Sequence, residues 1–147
     1  MLSTGGSVID CKNTVSNPGL YYPPPGLSAT GKIAPDLTMR AGGEGWVLST
    51  SQMADFMRTL HYTESILPKT ISESMKTDLL GYDVYSSVEG VTYWHKNGIY
   101  MNDPMGSNFG YRSLIIGFGD GLSVAVMTNS PRVLEFEVLE AYKKWHL

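Results

Sequence analysis

Gly119-Asp120-Gly121 lies between two runs rich in aromatic, β-branched and other apolar residues, 111–118 and 122–128. An Asp-Gly step tolerates the positive φ angles that a tight antiparallel turn demands, so this stretch specifies a hairpin. In the second run Leu122-Ser123-Val124-Ala125-Val126-Met127 is apolar at nearly every position, the pattern of a central strand covered on both faces. Two shorter strands are predicted before it. Residues 82–86 and 91–96 are aromatic and β-branched, with Glu89-Gly90 between them as a turn.

Helical signals flank the strands. Ser49-Thr50-Ser51-Gln52 has the spacing of a capping box, with Ser49 capping and Gln52 reaching back. Met53, Phe56, Met57 and Leu60 then recur at i, i+3, i+4 and i+7, one apolar stripe on a helix that should run to about Tyr62. Pro68 is placed to open a second, shorter helix with Ile71 and Met75 facing inward, and Gly81 to close it. After the strands, Ser130-Pro131 should cap and open a last helix with Leu134, Val138, Ala141, Tyr142 and Trp145 along one side. Glu135, Glu137 and Glu140 come early in it and Lys143 and Lys144 late, the order favoured by the helix dipole. The expected class is α+β: two helices, an antiparallel sheet of three to four strands, and a C-terminal helix packed on that sheet.

Residues 1–45 read differently. Asn17-Pro18-Gly19, Pro23-Pro24-Pro25-Gly26, Thr30-Gly31 and Gly42-Gly43-Glu44-Gly45 interrupt the stretch every few residues, and the three prolines favour an extended segment without ladder hydrogen bonds. The chain therefore divides into a Pro/Gly-rich loop segment, 1–45, and an α+β domain, 46–147.

Composition excludes some partners. A net charge of −3 with scattered lysines and arginines gives no electrostatic footprint for nucleic acid. No apolar run reaches the roughly 18 residues of a membrane span, and the first residues carry neither the basic region nor the apolar core of a signal peptide. The single cysteine, Cys11, forbids an intrachain disulfide.

The segment with the most chemistry is Tyr93-Trp94-His95-Lys96-Asn97-Gly98, where a strand delivers a lysine and Asn-Gly lets the backbone turn closely past it. This triplet resembles the third motif of serine β-lactamases and penicillin-binding proteins, a Lys-Thr-Gly, Lys-Ser-Gly or His-x-Gly on the strand beside the active site. Asn97 departs from the usual hydroxyl residue. Four other segments resemble the family in the same order. Ala41-Gly42-Gly43-Glu44-Gly45-Trp46-Val47-Leu48-Ser49-Thr50, followed by Asp55-Phe56, is similar to its Gly-Gly stretch and Ser-Thr-capped helix. Leu80-Gly81-Tyr82 resembles the entry to its next strand, and Gly110-Tyr111 with the run ending in Thr128-Asn129 resembles its next two strands. A final amphipathic helix also agrees.

The resemblance implies an acyl-serine hydrolase of amides or esters, of which this chain is the C-terminal half. Lys96, Asn97 and Gly98 would wall the acyl site, Lys96 supplying positive charge to a substrate carboxylate, and the backbone N–H of Ile99 would be an oxyanion-hole donor. No serine in the chain has a lysine three residues on, so the family's Ser-x-x-Lys nucleophile is missing. A literal Tyr-x-Asn, Tyr100-Met101-Asn102, follows the triplet where the family's motif precedes it, and is read as chance. The chain alone should be inactive, needing no cofactor or metal. The missing strands should leave an edge filled by a second copy or by a complementing N-terminal half. The resemblance points to the cell envelope or the outside, although nothing in the chain directs it there.

The remaining candidates are structural in kind. His61, His95 and His146 lack metal-ligand spacing, and His95 should point to the sheet face opposite Lys96. Asp103 and Asp120 sit in expected turns. Gly42-Gly43-Glu44-Gly45 lacks the Lys-Ser/Thr of a phosphate loop. Trp46, Trp94 and Trp145 are core or interface anchors. Two other readings remain open: a non-catalytic α+β module that binds another chain or itself, and a small-molecule binding domain of unrelated ancestry.

Overall fold

The computed structural model describes residues 20–21, 32–33, 48–101, 110–130 and 134–146. Its centre is a four-stranded antiparallel sheet of β3 (Val84–Val88), β4 (Val91–Met101), β5 (Gly110–Phe118) and β6 (Ser123–Thr128), each strand beside its neighbour in sequence. Helices α1 (Thr50–Tyr62) and α2 (Lys69–Thr77) precede it and α3 (Glu135–His146) follows, so the class is α+β as the sequence predicts. Within the Pro/Gly-rich segment, β1 (Leu20–Tyr21) and β2 (Lys32–Ile33) pair antiparallel as a separate two-stranded ladder. The triple proline, Cys11, Trp46, Asp103 and Pro131 lie outside the described residues.

Strand periodicity sorts the side chains into two layers. Tyr93, His95, Leu114, Ile116 and Phe118 point to one face. With Val88 they meet Leu134 and Tyr142 at α3, and Val124, Val126, Val138 and Leu139 pack around them. Trp94 points to the other face, where Met57 of α1 and Tyr82 enclose it and Met75 of α2 and Ile115 pack against the group. The sheet is thus sandwiched, α1 and α2 on one side and α3 on the other.

Local chemistry explains the turns and ends. Ser49 accepts from the Gln52 N–H (3.2 Å) and Gln52 Oε1 accepts from the Ser49 N–H (2.8 Å), the reciprocal box that starts α1. Glu89 (φ 48°) and Gly90 (φ 78°) form a two-residue loop with both central angles positive, matching the twist of a Val88–Val91 hairpin. At the β5–β6 turn the Phe118 N–H donates to the Leu122 carbonyl (2.9 Å), and the Asp120 carboxylate accepts from the Leu122 N–H (3.1 Å). Gly117 pairs with Trp94 across β4 and β5. A Cβ there would come within 2.6 Å of the indole, so only glycine lets that ring lie flat on the sheet.

Four expectations need correction. The 122–127 run is not a central strand: β6 is the last strand of the sheet and its positions are mostly half-buried. The strand covered on both faces and paired on both edges is β5. Ile71 is 49% exposed, because α2 turns Ser72, Met75 and Lys76 inward. Phe56, counted in the inward stripe of α1, lies at its exposed margin, and His61 takes an inward place instead. Trp145 is not a core anchor. Tyr142 and His146 dock on Asp120 at the end of the sheet, and Trp145 lies past them, 67% exposed. Ala141 is exposed as well.

Candidate functional site

Two places on the α1–α2 face of the sheet gather polar groups. The first is the Lys96 corner. Lys96 alternates with Trp94 along β4 and so belongs to that face, whereas His95 is directed to the α3 side. Strand β3 ends opposite His95, in the pair Val84–His95. The chain just before it swings Asp83 under β4: its N–H donates to the His95 carbonyl (2.9 Å), and its carboxylate accepts from Lys96 Nζ (2.6 Å) and from the Asn97 N–H (2.7 Å). Desolvation pushes the Asp83 carboxyl up, but the Lys96 and Asn97 hydrogen bonds and the nearby charge outweigh it and hold its pKa below the usual value.

N–H groups of alternate residues leave a strand on the same side. Since the Asn97 N–H points outward to Asp83, the Ile99 N–H also points outward, past the end of β3. Gly98 pairs with Ser113, and a Cβ on it would strike the Ser113 hydroxyl, so the glycine is needed for close strand approach here. Lys96 is half-exposed, and any substrate carboxylate brought to it must compete with Asp83.

The second place is a cleft of about 650 Å³ between the α1–α2 corner and the β3–β4 hairpin, floored by Trp94. Lys76 reaches into it from α2. Its side chain is 7% exposed; Nζ lies 2.6 Å from Glu73 Oε1 and 4.3 Å from the centre of the Trp94 ring. His61, at the last turn of α1, stands edge-on to the same indole with its Nε2 against the Tyr82 hydroxyl. The imidazole is a stronger acceptor than the Met57 sulfur 3.9 Å away, so Tyr82 directs its proton to Nε2 and the ring carries its own on Nδ1. Burial lowers the His61 pKa to about 4, Lys76 adding to the effect and Glu73 opposing it. Burial likewise raises that of Tyr82. His61 Nδ1 and Trp94 Nε1 are both buried without a hydrogen-bond partner.

Sequence reasoning set His61 aside for want of metal spacing and gave Lys76, Glu73 and Tyr82 no role. The available signal was weak: Ser72 and Lys76, one turn apart, are polar residues on the face α2 turns inward.

The other titratable groups are structural. His95 is fully buried, stacks on Tyr93, and its Nε2 donates to Glu135 Oε1 (2.8 Å), tying β4 to the start of α3. Asp120 Oδ2 accepts from the Tyr142 hydroxyl (2.8 Å) and from His146 Nε2 (3.1 Å). No group of three potential metal-ligating side chains occurs among the described residues, and none of their helices is long and apolar enough to cross a membrane. No family model, curated protein or solved structure matches the chain.

Proposed function

We propose that this chain forms the strand-side wall of an acyl site in a β-lactamase-like serine hydrolase, and that a Ser-x-x-Lys segment outside it supplies the nucleophile. The observation that carries the reading is the outward-facing Ile99 N–H, just beyond Lys96 on the edge of β4 that β3 leaves uncovered. In such a site the serine oxygen bonds to an ester or amide carbonyl carbon, and the carbonyl oxygen becomes an oxyanion that a backbone N–H stabilises. The leaving group departs with a proton, and water then releases the acyl group. Lys96 contributes positive charge beside the reacting carbonyl, with Asp83 fixing its position.

Sequencing the DNA upstream of the Met1 codon tests this, followed by labelling of the joined product with a fluorescent penicillin. The expected result is an open frame with Ser-x-x-Lys and a covalently labelled serine; the present chain alone stays unlabelled. Lys96→Ala in the joined protein should slow acylation by about 10²-fold. Labelling of a serine within residues 1–147 overturns the reading. So does the lack of a Ser-x-x-Lys segment both in that frame and in any co-purifying chain.

A second reading, a non-catalytic module that self-associates, draws on the exposed Phe136 and Trp145 of α3 and on the uncovered edge of β4. Sedimentation equilibrium at micromolar concentration should then show a dimer that Trp145→Ala weakens. A monomer throughout removes it.

A further inference from the structure

The cleft beside Lys76 has a chemistry of its own, independent of any acyl site at Lys96. We propose that it binds a small aromatic oxyanion, a carboxylate or phosphate monoester on a planar ring, with the anionic group at Lys76. A buried ammonium is costly unless well paired. Lys76 has one carboxylate partner, Glu73, whose side chain is 50% exposed and free to swing into water, whereas the lysine is enclosed against Trp94. A ligand oxyanion can take the place of Glu73 and keep the ammonium paired.

Two further N–H groups sit in the same enclosure without an acceptor, Trp94 Nε1 and His61 Nδ1, so the wall carries unbalanced positive dipoles. Lys69 adds a second cation to the lining and Glu64 a second anion, which leaves the selection of charge to the enclosed Lys76. The body of the ligand is chosen by the aromatic walls. Tyr62 and Tyr85 both line the cleft and both expose ring surface that a planar group would cover. The volume falls within the range that holds a ring with its substituents.

The test uses the full chain with ¹⁵N-labelled tryptophan, the Trp94 indole signal being assigned by its loss in Trp94→Phe. Phenyl phosphate and benzoate are titrated as the two oxyanion sources, with inorganic phosphate and benzamidine as controls. At least one aryl oxyanion should shift the Trp94 signal saturably below about 10 mM, and bind at least about tenfold more tightly than inorganic phosphate or benzamidine. Lys76→Met should weaken that binding about tenfold or more while the other indole signals stay in place. The proposal is overturned if neither aryl oxyanion moves the signal, if benzamidine binds as well, or if folded Lys76→Met binds unchanged. Where Lys76→Met fails to fold, exposed Lys69→Ala and Tyr85→Ala decide: weaker binding in either upholds the site, and unchanged binding in both removes it.

Discussion

Phe118→Ala is expected to destabilise the protein by about 3–5 kcal/mol, enough to unfold a large share of molecules in a domain of ordinary stability. Phe118 is fully buried at the end of β5. Its ring lies parallel to Tyr142 at 3.9 Å between centres and packs against Tyr93 at 6.2 Å. Tyr142 is fixed from its far end by Asp120, and burial with that hydrogen bond pushes its hydroxyl pKa up to about 12. Neither ring can close the gap easily, so truncation leaves a cavity as well as losing the transfer free energy of the benzyl group. Urea unfolding followed by far-UV circular dichroism measures the effect. Phe136→Ala, at a side chain 70% exposed, should stay within about 0.5 kcal/mol of the parent.

Acid should weaken the fold through His61. Its pKa in the folded chain is about 4 against an ordinary 6.5, because burial disfavours the imidazolium and Lys76 repels it. A proton therefore binds the unfolded chain more readily than the folded one. The His61 contribution is complete above pH 6.5 and is lost as the pH falls through 6.5 towards 4, at up to about 1.4 kcal/mol per pH unit. The summed loss is about 2–3 kcal/mol. Urea midpoints measured from pH 7 to pH 4 should fall steadily in the parent. His61→Phe should flatten that slope; an unchanged slope in the variant would assign the acid sensitivity to other groups.

The parts of the fold legible in the sequence are those set by neighbouring residues. The Ser49–Gln52 box, the Glu89-Gly90 and Gly119-Asp120-Gly121 turns and the strand runs between them each state their geometry within a few positions. What the pattern does not carry is what lies against each element. A run such as 122–127 has the same composition whether its strand is central or last in the sheet, so β6 reads as central. Helical periodicity finds a stripe in α3 but not where the sheet beneath it stops, which is why Trp145 reads as buried. Nor does it foretell that α2 would turn a lysine inward and leave Ile71 outside, since that orientation depends on Trp94 from a later strand.

The candidate sites divide in the same way. The Lys96-Asn97-Gly98 triplet and the opposed facing of His95 are local features of one strand. The capture of Lys96 by Asp83 follows from the register Val84–His95, which no single segment encodes. Lys76, His61 and Trp94 come from three elements, and only their packing brings a cation and two unmet N–H groups to one cleft.

Because every strand of the sheet lies beside its predecessor, the ladder can assemble in the order in which the chain is made. Contacts that join sequence neighbours close small loops and cost little chain entropy, which favours rapid folding. The Glu89-Gly90 and Gly119-Asp120-Gly121 turns supply two hairpins, each able to form in microseconds before distant contacts exist. On a ribosome the α1–α2 face would be covered first. The surface bearing Tyr93, Ile116 and Phe118 would stay open to solvent until α3 emerged, making the last helix the step that ends the nascent chain's exposure to aggregation.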